Sequence, residues 1–368
     1  MLPGLPVAAQ TAGGTISGQL VNGTAGGASV SDVEISLETF TNGLSAGNIT
    51  AKTQSDGSYK FENLVTGANV YRLFLTYQEV DYFSDNLSFG QSTALSQNIT
   101  VYDSTDNIAV VTVDTAHTII VPANGVLEFT IVYDFINNSD RAFIGTGDPM
   151  ANGKKKTLTF NIPADAIQVE YGDGLLPEYV YPSHGGFIDT MAVLPGIKEL
   201  VYAYKVPYTG GKYNFAQTMN YDAAWFNLLV SGSGLKVTSS QLEDQGPLDM
   251  GGGNTYVYFT GHNFTAGETV SATLTGSASS QMLIFVVAGA GVVVVAGGAL
   301  AYWRMRKRSG AMPAAKVTRE ADDEQSLLLA LARLDDDFAA GTISEAAYRS
   351  QRAATKARLV QLMSGKRG

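Results

Sequence analysis

The feature that most constrains this chain is a stretch of 22 residues without a charged side chain, which begins at Met282 and ends at Trp303. As a helix it would be about 33 Å long, enough to cross the hydrocarbon core of a bilayer. Only a helix or a closed barrel satisfies its own backbone hydrogen bonds in lipid. A buried core helix or strand is the alternative, but this stretch is too long and has no polar face. We therefore predict one transmembrane helix over residues 282–303.

The residues after this stretch predict its orientation. Arg304, Arg306, Lys307 and Arg308 follow it directly, and basic residues mark the cytoplasmic side of a membrane helix. Residues 1–281 contain 11 Lys and Arg against 26 Asp and Glu, which disfavours nucleic acid, because phosphate contacts need cations. We expect a single-pass protein of the cell membrane, with an extracytoplasmic N-terminal part, a cytoplasmic C-terminus and no nucleic-acid partner.

Composition excludes several kinds of chemistry. The chain has no cysteine, which removes disulfides, thiolate metal sites and cysteine nucleophiles. His117, His184 and His262 lack the short spacing of a metal site. We therefore predict no catalytic, cofactor-binding or metal-binding residue, no cofactor, and a protein that is not an enzyme. Carboxylates are numerous, so a hydrolase with an unrecognised carboxylate pair is the remaining enzymatic alternative.

Residues 1–12 are predicted to be a leader. Val7, Ala8 and Ala9 resemble the small-residue end of a signal peptide, although a basic region and a full apolar run are missing. We expect either a truncated signal peptide with cleavage near Ala9 or a disordered leader.

A first outer domain is predicted over residues 13–113. Apolar residues alternate with polar ones over 15–21, 33–37 and 71–77, and Gly, Asn, Asp and Ser separate these runs. Alternation with turn signals about every 8–12 positions is typical of a β-sandwich. Asp56 and Gly57 are expected to form a turn, with Tyr59 and Phe61 on one face of the next strand.

The same domain resembles a known family. The run Thr53-Gln-Ser-Asp-Gly-Ser-Tyr59-Lys-Phe61, followed by Asn63-Leu64, Gly67 and Tyr71, is similar to the carboxypeptidase regulatory-like domain. That family has a transthyretin-like (prealbumin-like) sandwich, often classed with carbohydrate-binding-like folds. The resemblance covers about a quarter of the chain, and it implies an accessory or structural module without catalytic residues.

A second β-sandwich, Ig-like in outline, is predicted over residues 114–276, with a last hairpin over 261–276 and a polar linker over 277–281. Its many tyrosines invite a sugar-binding interpretation, but tyrosine is also a good strand residue, and we favour the second explanation. The tyrosines are Tyr171, Tyr179, Tyr181, Tyr202, Tyr204, Tyr208, Tyr213 and Tyr221.

The cytoplasmic tail is predicted to contain a basic juxtamembrane linker over 304–320 and a helical hairpin over 321–364. Leu327, Leu331, Leu334 and Phe338 recur on one helical face, which Tyr348 and Leu359 continue. The pattern L-x-x-L-D-x-x-F-x-x-G-x-I-S-E-x-x-Y resembles SHOCT-type hairpins and tails of cytochrome c maturation components. Such a hairpin is too small to be stable alone, so we expect it to dock on a partner protein or on itself.

These features together predict a mainly β, non-enzymatic membrane protein of a prokaryotic envelope. Its outer sandwiches would bind a protein or the cell wall, and its cytoplasmic hairpin would contact a partner, in the assembly of the envelope or of cytochromes. A membrane-anchored carbohydrate-binding module is the alternative, and it rests on resemblance of fold.

Overall fold

β-Strands dominate the described part of the chain, which confirms the mainly β prediction there. The computed structural model describes residues 13–123, 125–231, 234–249 and 255–276, and all of them belong to one compact unit. No helix within these ranges is long and apolar enough to cross a membrane. The segments predicted over 1–12, 277–281, 282–303, 304–320 and 321–364 lie outside the described residues.

The N-terminal strands are short and separated by turns, as the alternating pattern predicts. A short 3-10 turn, Ile108–Val110, follows them. The strands are Gly14–Asn22 (β1), Glu34–Thr41 (β2), Leu44–Lys52 (β3), Ser58–Leu64 (β4), Asn69–Tyr77 (β5), Val80–Phe83 (β6), Ala94–Ser96 (β7), Ile99–Val101 (β8) and Ser104–Thr105 (β9).

Two four-stranded sheets enclose the N-terminal core. One has the order β4-β1-β7, with β8 also paired to β1, and the other has the order β3-β2-β5-β6. Ile16 and Phe61 of the first sheet and Ile35 and Leu73 of the second meet in one buried cluster. The alternating pattern places these side chains on the inner faces, where burial removes apolar surface from water. This arrangement is compatible with a β-sandwich, and we call it the N-terminal sandwich.

The turn between β3 and β4 is formed as the sequence predicts. The Asp56 carboxylate accepts a hydrogen bond from the Ser58 backbone N–H at 2.9 Å, and Gly57 has a φ of 82°. Tyr59 and Phe61 then point into the core, each 3% exposed. The hydrogen bond lowers the pKa of Asp56 from its usual value. Asp56 therefore acts as a turn former.

The C-terminal strands include three of at least twelve residues, β10, β11 and β17, next to several short ones. A 3-10 turn, Pro177–Tyr179, lies between β14 and β15. The strands are Val111–Ala123 (β10), Val126–Asn137 (β11), Ala142–Phe143 (β12), Leu158–Asn161 (β13), Ile167–Tyr171 (β14), Val180–Ser183 (β15), Gly186–Asp189 (β16), Gly196–Pro207 (β17), Gly211–Thr218 (β18), Ala223–Ser231 (β19), Leu235–Thr238 (β20), Glu243–Asp249 (β21), Thr255–Phe264 (β22) and Thr269–Gly276 (β23).

A seven-stranded sheet of order β14-β17-β11-β10-β19-β22-β21 faces two three-stranded sheets, β13-β16-β15 and β18-β23-β20. Phe129 and Phe226 of the large sheet share one buried cluster with Phe187 of β16 and Leu274 of β23. We call this arrangement, which is also compatible with a β-sandwich, the C-terminal sandwich. Its core and the N-terminal core draw on different stretches of chain, except that Ala142 lies in the N-terminal core and Ile144, Ala192 and Leu194 pack against it.

The hairpin predicted over residues 261–276 is wrong. β22 pairs with β19 and β21 in the seven-stranded sheet, whereas β23 pairs with β18 and β20 in a three-stranded sheet. The turn between them carries the chain from one layer to the facing one. Local turn signals do not distinguish such a crossing from a hairpin, because both need the same turn residues.

Candidate functional site

The residues that the sequence singled out for membrane and partner contacts all lie outside the described residues. They are the transmembrane boundaries Met282 and Trp303, the cytoplasmic anchor Arg304, Arg306, Lys307 and Arg308, and the hairpin face Leu327, Leu331, Leu334, Phe338, Tyr348 and Leu359.

The histidines and carboxylates of the described ranges form no metal centre. No group of three or more His, Asp or Glu side chains is placed there to hold a metal ion. His117 is buried within β10, and burial lowers its pKa to about 4. His184 and His262 are exposed on separate strands or turns.

One buried carboxylate forms a structural ion pair. Asp189 is fully buried, and its Oδ2 lies 2.8 Å from the Lys198 ammonium. The Asp189 Oδ1 accepts a hydrogen bond from the Met191 backbone N–H at 2.9 Å. The pair joins β16 to β17 and so links the facing sheets. A buried charge needs such pairing, because desolvation is costly.

Most of the tyrosine-rich stretch is core rather than a sugar-binding surface, although Tyr171 is 40% exposed and Tyr181 is half-buried. Tyr202, Tyr204 and Tyr208 are 2%, 4% and 5% exposed and lie in the C-terminal cluster. The Tyr204 ring stacks on Phe129 with a centroid distance of 4.9 Å. Tyr213 and Tyr221 pack against the same cluster. Their faces are therefore occupied by protein, as the strand-residue explanation predicts.

An aromatic surface does occur on the N-terminal sandwich, on the outer face of the sheet β3-β2-β5-β6. The Arg72 guanidinium carbon lies 5.7 Å from the centroid of the Phe40 ring and 5.5 Å from that of Phe83. The Phe74 and Phe83 rings are 5.2 Å apart. These distances fall in the range of cation–π and aromatic pairs. We call these four residues, together with Glu38, the Arg72 face.

Three strands position the Arg72 face. Phe40 lies on β2, Arg72 and Phe74 on β5, and Phe83 on β6. Register places Phe74 opposite Phe83 and Arg72 opposite Glu38. Because inner and outer positions alternate along a strand, the neighbours Tyr71, Leu73 and Leu75 point into the core while these side chains point to solvent.

Polar groups border the Arg72 face. The Arg72 Nη2 lies 3.6 Å from the Glu38 Oε2. The Ser45 hydroxyl donates to Glu38 at 3.1 Å, and the Asn48 amide donates to the Ser36 hydroxyl at 3.2 Å. The Arg72 Nε has no hydrogen-bond partner among the described residues. The face thus offers apolar ring surface, a cation and neutral hydrogen-bonding groups side by side.

The sequence analysis missed the Arg72 face. The available signal was aromatic or basic residues at the outward positions of predicted strands, as in Arg72 and Phe74 within 71–77. Polar residues are expected there when one face of a sheet is solvated. Phe83 is 36% exposed, so this departure from alternation marks a candidate contact surface.

The two sandwiches meet at a polar junction. The Lys154 ammonium donates to the Asp81 carboxylate at 2.8 Å and to the Glu79 backbone oxygen at 2.7 Å. The Tyr179 hydroxyl donates to the other Asp81 oxygen at 2.7 Å. Burial by itself raises the pKa of Asp81, but the hydrogen bonds from Lys154, Thr76 and Tyr179 outweigh it and hold that pKa below its usual value.

A second contact of the junction surrounds Asp103. Its carboxylate accepts hydrogen bonds from Asn22 at 2.8 Å and Gln78 at 2.9 Å, and it lies 3.7 Å from the Arg141 guanidinium. The segment after β11 also reaches back to the N-terminal sandwich, since the Asp140 backbone oxygen accepts from Thr24 at 2.6 Å. These bonds, with Ala142 in the N-terminal core, join the sandwiches.

Comparisons of the chain with protein-family models and with curated proteins find no match.

Proposed function

We propose that this chain is a non-enzymatic single-pass membrane protein of a prokaryotic envelope. Its outer part combines a transthyretin-like sandwich, as in carboxypeptidase regulatory-like domains, with an Ig-like one. Residues 282–303 tether this part to the membrane, and the SHOCT-like hairpin over 321–364 contacts a partner on the cytoplasmic side, in envelope or cytochrome assembly. The apolar stretch and the basic cluster after it support the tether.

The observation that carries a binding role is the Arg72 face. Aromatic residues and arginine are the types enriched where proteins contact partners. Phe40 and Phe74 are half-buried and Phe83 is exposed, whereas many other rings of the described chain lie in the two cores. The polar junction supports a structural role, because it holds this face in a defined orientation relative to the C-terminal sandwich.

Binding to the envelope tests this role. The full-length protein in detergent would be co-sedimented with isolated native envelopes, alongside the variants Phe83→Ala and Arg72→Ala. We expect each variant to bind at least tenfold less. Ile197→Ala, which changes an exposed apolar residue (59% exposed) of the C-terminal sandwich, is the matched control and should bind as well as the unmodified protein. Equal binding by the unmodified protein and all three variants would show that this face does not bind the envelope.

Protease treatment of intact cells tests the tether separately. An extracytoplasmic outer part would be digested while the tail after residue 308 is protected. Protection of the whole chain would contradict the proposed topology.

A membrane-anchored carbohydrate-binding module is the second candidate, and the ring pair supports it. Phe40 and Phe83 lie on either side of Arg72. Their strands, β2 and β6, are two positions apart in the sheet, which corresponds to about 10 Å between the strand axes. Sugars stack their apolar faces on aromatic rings and bond their hydroxyls to charged and amide groups. A glycan array with the full-length protein distinguishes the candidates: saturable binding that Phe83→Ala abolishes supports the module, and its absence supports a protein or cell-wall contact without a defined sugar.

A further inference from the structure

Six asparagines of the chain stand two positions before Ser or Thr, without an intervening proline. This N-x-S/T pattern is the acceptor signal for N-linked glycans, and it is informative only where the asparagine is exposed on the outer side of a membrane. All six lie in the part that we propose to be extracytoplasmic. They are Asn22, Asn48, Asn86, Asn98, Asn137 and Asn263.

Two of the six are unsuitable as acceptors in the folded protein. The Asn22 amide donates to the Asp103 carboxylate at 2.8 Å and to the Ala28 backbone oxygen at 2.9 Å. Asn137 is 2% exposed, and its amide donates to the backbone oxygens of Arg141 and Val193 at 2.7 and 2.8 Å. Both amide nitrogens are occupied in the junction or beside it. A glycan on either nitrogen would displace these hydrogen bonds.

The other four asparagines are exposed, and so is the Ser or Thr that completes each signal. Asn48 lies on the edge strand β3, and Asn263 lies at the end of β22 with a φ of 59°. Asn98 precedes β8 and uses only its side-chain oxygen, as acceptor from the Gln19 backbone N–H. The amide nitrogens of Asn86 and Asn98 donate no hydrogen bond within the described residues. The Asn48 amide donates to the Ser36 hydroxyl at 3.2 Å, and the Asn263 amide lies 3.1 Å from the His262 Nδ1, but both contacts are exposed to solvent, unlike those of Asn22 and Asn137.

We propose that Asn48, Asn86, Asn98 and Asn263 carry N-linked glycans in the native envelope. The proposal rests on the extracytoplasmic location given above. The donor class is an oligosaccharide attached to a lipid phosphate, and the catalyst is a membrane-bound oligosaccharyltransferase. The asparagine amide nitrogen bonds to the anomeric carbon, the bond from that carbon to the phosphate oxygen breaks, the lipid phosphate leaves, and the amide proton passes to a base of the transferase.

Asn86 is the site with the fewest constraints. It lies in the irregular segment after β6, and its side chain makes no hydrogen bond within the described residues. Ser88, the hydroxyl residue of its signal, is exposed in the same segment. Surface loops are where such acceptors are used.

A glycan on Asn48 also has a structural consequence. β3 is the edge strand of its sheet, and Leu44 and Ile49 on it are 74% and 47% exposed. An exposed apolar edge strand is a template for pairing with another chain, and natural proteins block such edges. A bulky, hydrated glycan between these two residues would prevent pairing. A glycan on Asn48 would therefore protect the edge strand that most needs protection from pairing with another chain.

Mass spectrometry of the full-length protein from membranes of its native host tests the proposal. Glycopeptides with the same saccharide series are expected at Asn48, Asn86, Asn98 and Asn263, with Asn22 and Asn137 unmodified as internal controls. Asn86→Gln and Ser88→Ala should each remove one glycan mass from the intact protein. Asn214→Gln is the matched control, since Asn214 is exposed but is followed by Phe-Ala, and it should leave the mass of attached glycan unchanged.

Three outcomes overturn the proposal, and protease digestion of intact cells separates the first two. If the outer part is digested and the four asparagines are unmodified, the glycan assignment fails and the membrane topology stands. If the outer part is protected and the asparagines are unmodified, both fail. Glycans confined to Asn22 or Asn137 would also overturn it, because exposure would then not select the sites.

Discussion

The Lys154 ammonium of the C-terminal sandwich lies 2.8 Å from the Asp81 carboxylate of the N-terminal sandwich. Both side chains are largely buried, at 21% and 12% exposed, so the pair is screened less than a surface ion pair. Tyr179 completes it with a hydrogen bond to the second carboxylate oxygen. The pair therefore ties two regions that are distant in sequence into one unit.

Lys154→Met should destabilise the protein, because it leaves a partly buried carboxylate without its cation. The free energy of unfolding should fall by about 1–3 kcal/mol, as measured by chemical denaturation of the full-length protein in detergent. Lys156→Met is the control, since Lys156 is exposed and forms no ion pair within the described residues; its effect should stay within about 0.5 kcal/mol. Equal losses would show that the Asp81 contact does not contribute.

His117 should make stability pH-dependent between about pH 4 and 6.5. Burial lowers its pKa to about 4 in the folded protein, against about 6.5 in the unfolded chain. Between these values the unfolded chain binds a proton that the folded protein does not. The free energy of unfolding should therefore decrease as pH falls from about 6.5 to 4, by up to about 1.4 kcal/mol per pH unit.

His117→Gln should remove this slope, and denaturant unfolding at several pH values measures it. The glutamine can still accept the hydrogen bond that the Asn227 amide shares with the His117 ring at 3.3 Å. His262→Gln, at an exposed position, should leave the slope in place. If the slope persists in His117→Gln, the pH dependence of stability comes from other titratable groups.

Asp103 should contribute stability that acid removes. Burial alone raises its pKa, but hydrogen bonds from Asn22, the Ala28 backbone and Tyr77, together with Arg141, hold that pKa below its usual value. A depressed pKa stabilises the fold above the unfolded value, about pH 4, and the contribution disappears as pH falls through the folded value. Asp103→Asn should therefore flatten the loss of thermal stability below pH 4. Asp106→Asn, at an exposed position, should not.

Gly57→Ala should destabilise the turn between β3 and β4. Its φ is 82°, and an added Cβ would lie 2.3 Å from the Leu20 backbone oxygen. Gly43, with a φ of 78°, has nothing within 4 Å of an added Cβ. Gly43→Ala should therefore cost only the positive-φ penalty, about 1 kcal/mol, whereas Gly57→Ala should cost clearly more. Thermal unfolding of the two variants measures the difference, and equal melting temperatures would contradict the steric account.

Local sequence was sufficient to predict those features of the structure that depend on residues close together in the chain. The turn at Asp56 and Gly57 and the inward positions of Tyr59 and Phe61 follow from residue type and from the two-residue repeat of a strand. The burial of Tyr202 and Tyr204 agreed with the strand explanation for the same reason. Local signals were insufficient for β22 and β23, because the turn between them is compatible with a hairpin as well as with a change of sheet.

The sequence by itself determined the mainly β character of the described region. It also contains the uncharged 22-residue stretch and the acceptor signals for glycans, which can be recognised without a structure because each depends on residue type over nearby positions. The tertiary structure alone decided which strands are neighbours. It brought Phe40 and Phe83 to the two sides of Arg72, paired Lys154 with Asp81, and separated exposed asparagines from buried ones. The physical reason is that strand pairing joins residues far apart in the chain, and its register comes from packing of whole sheets rather than from any local pattern.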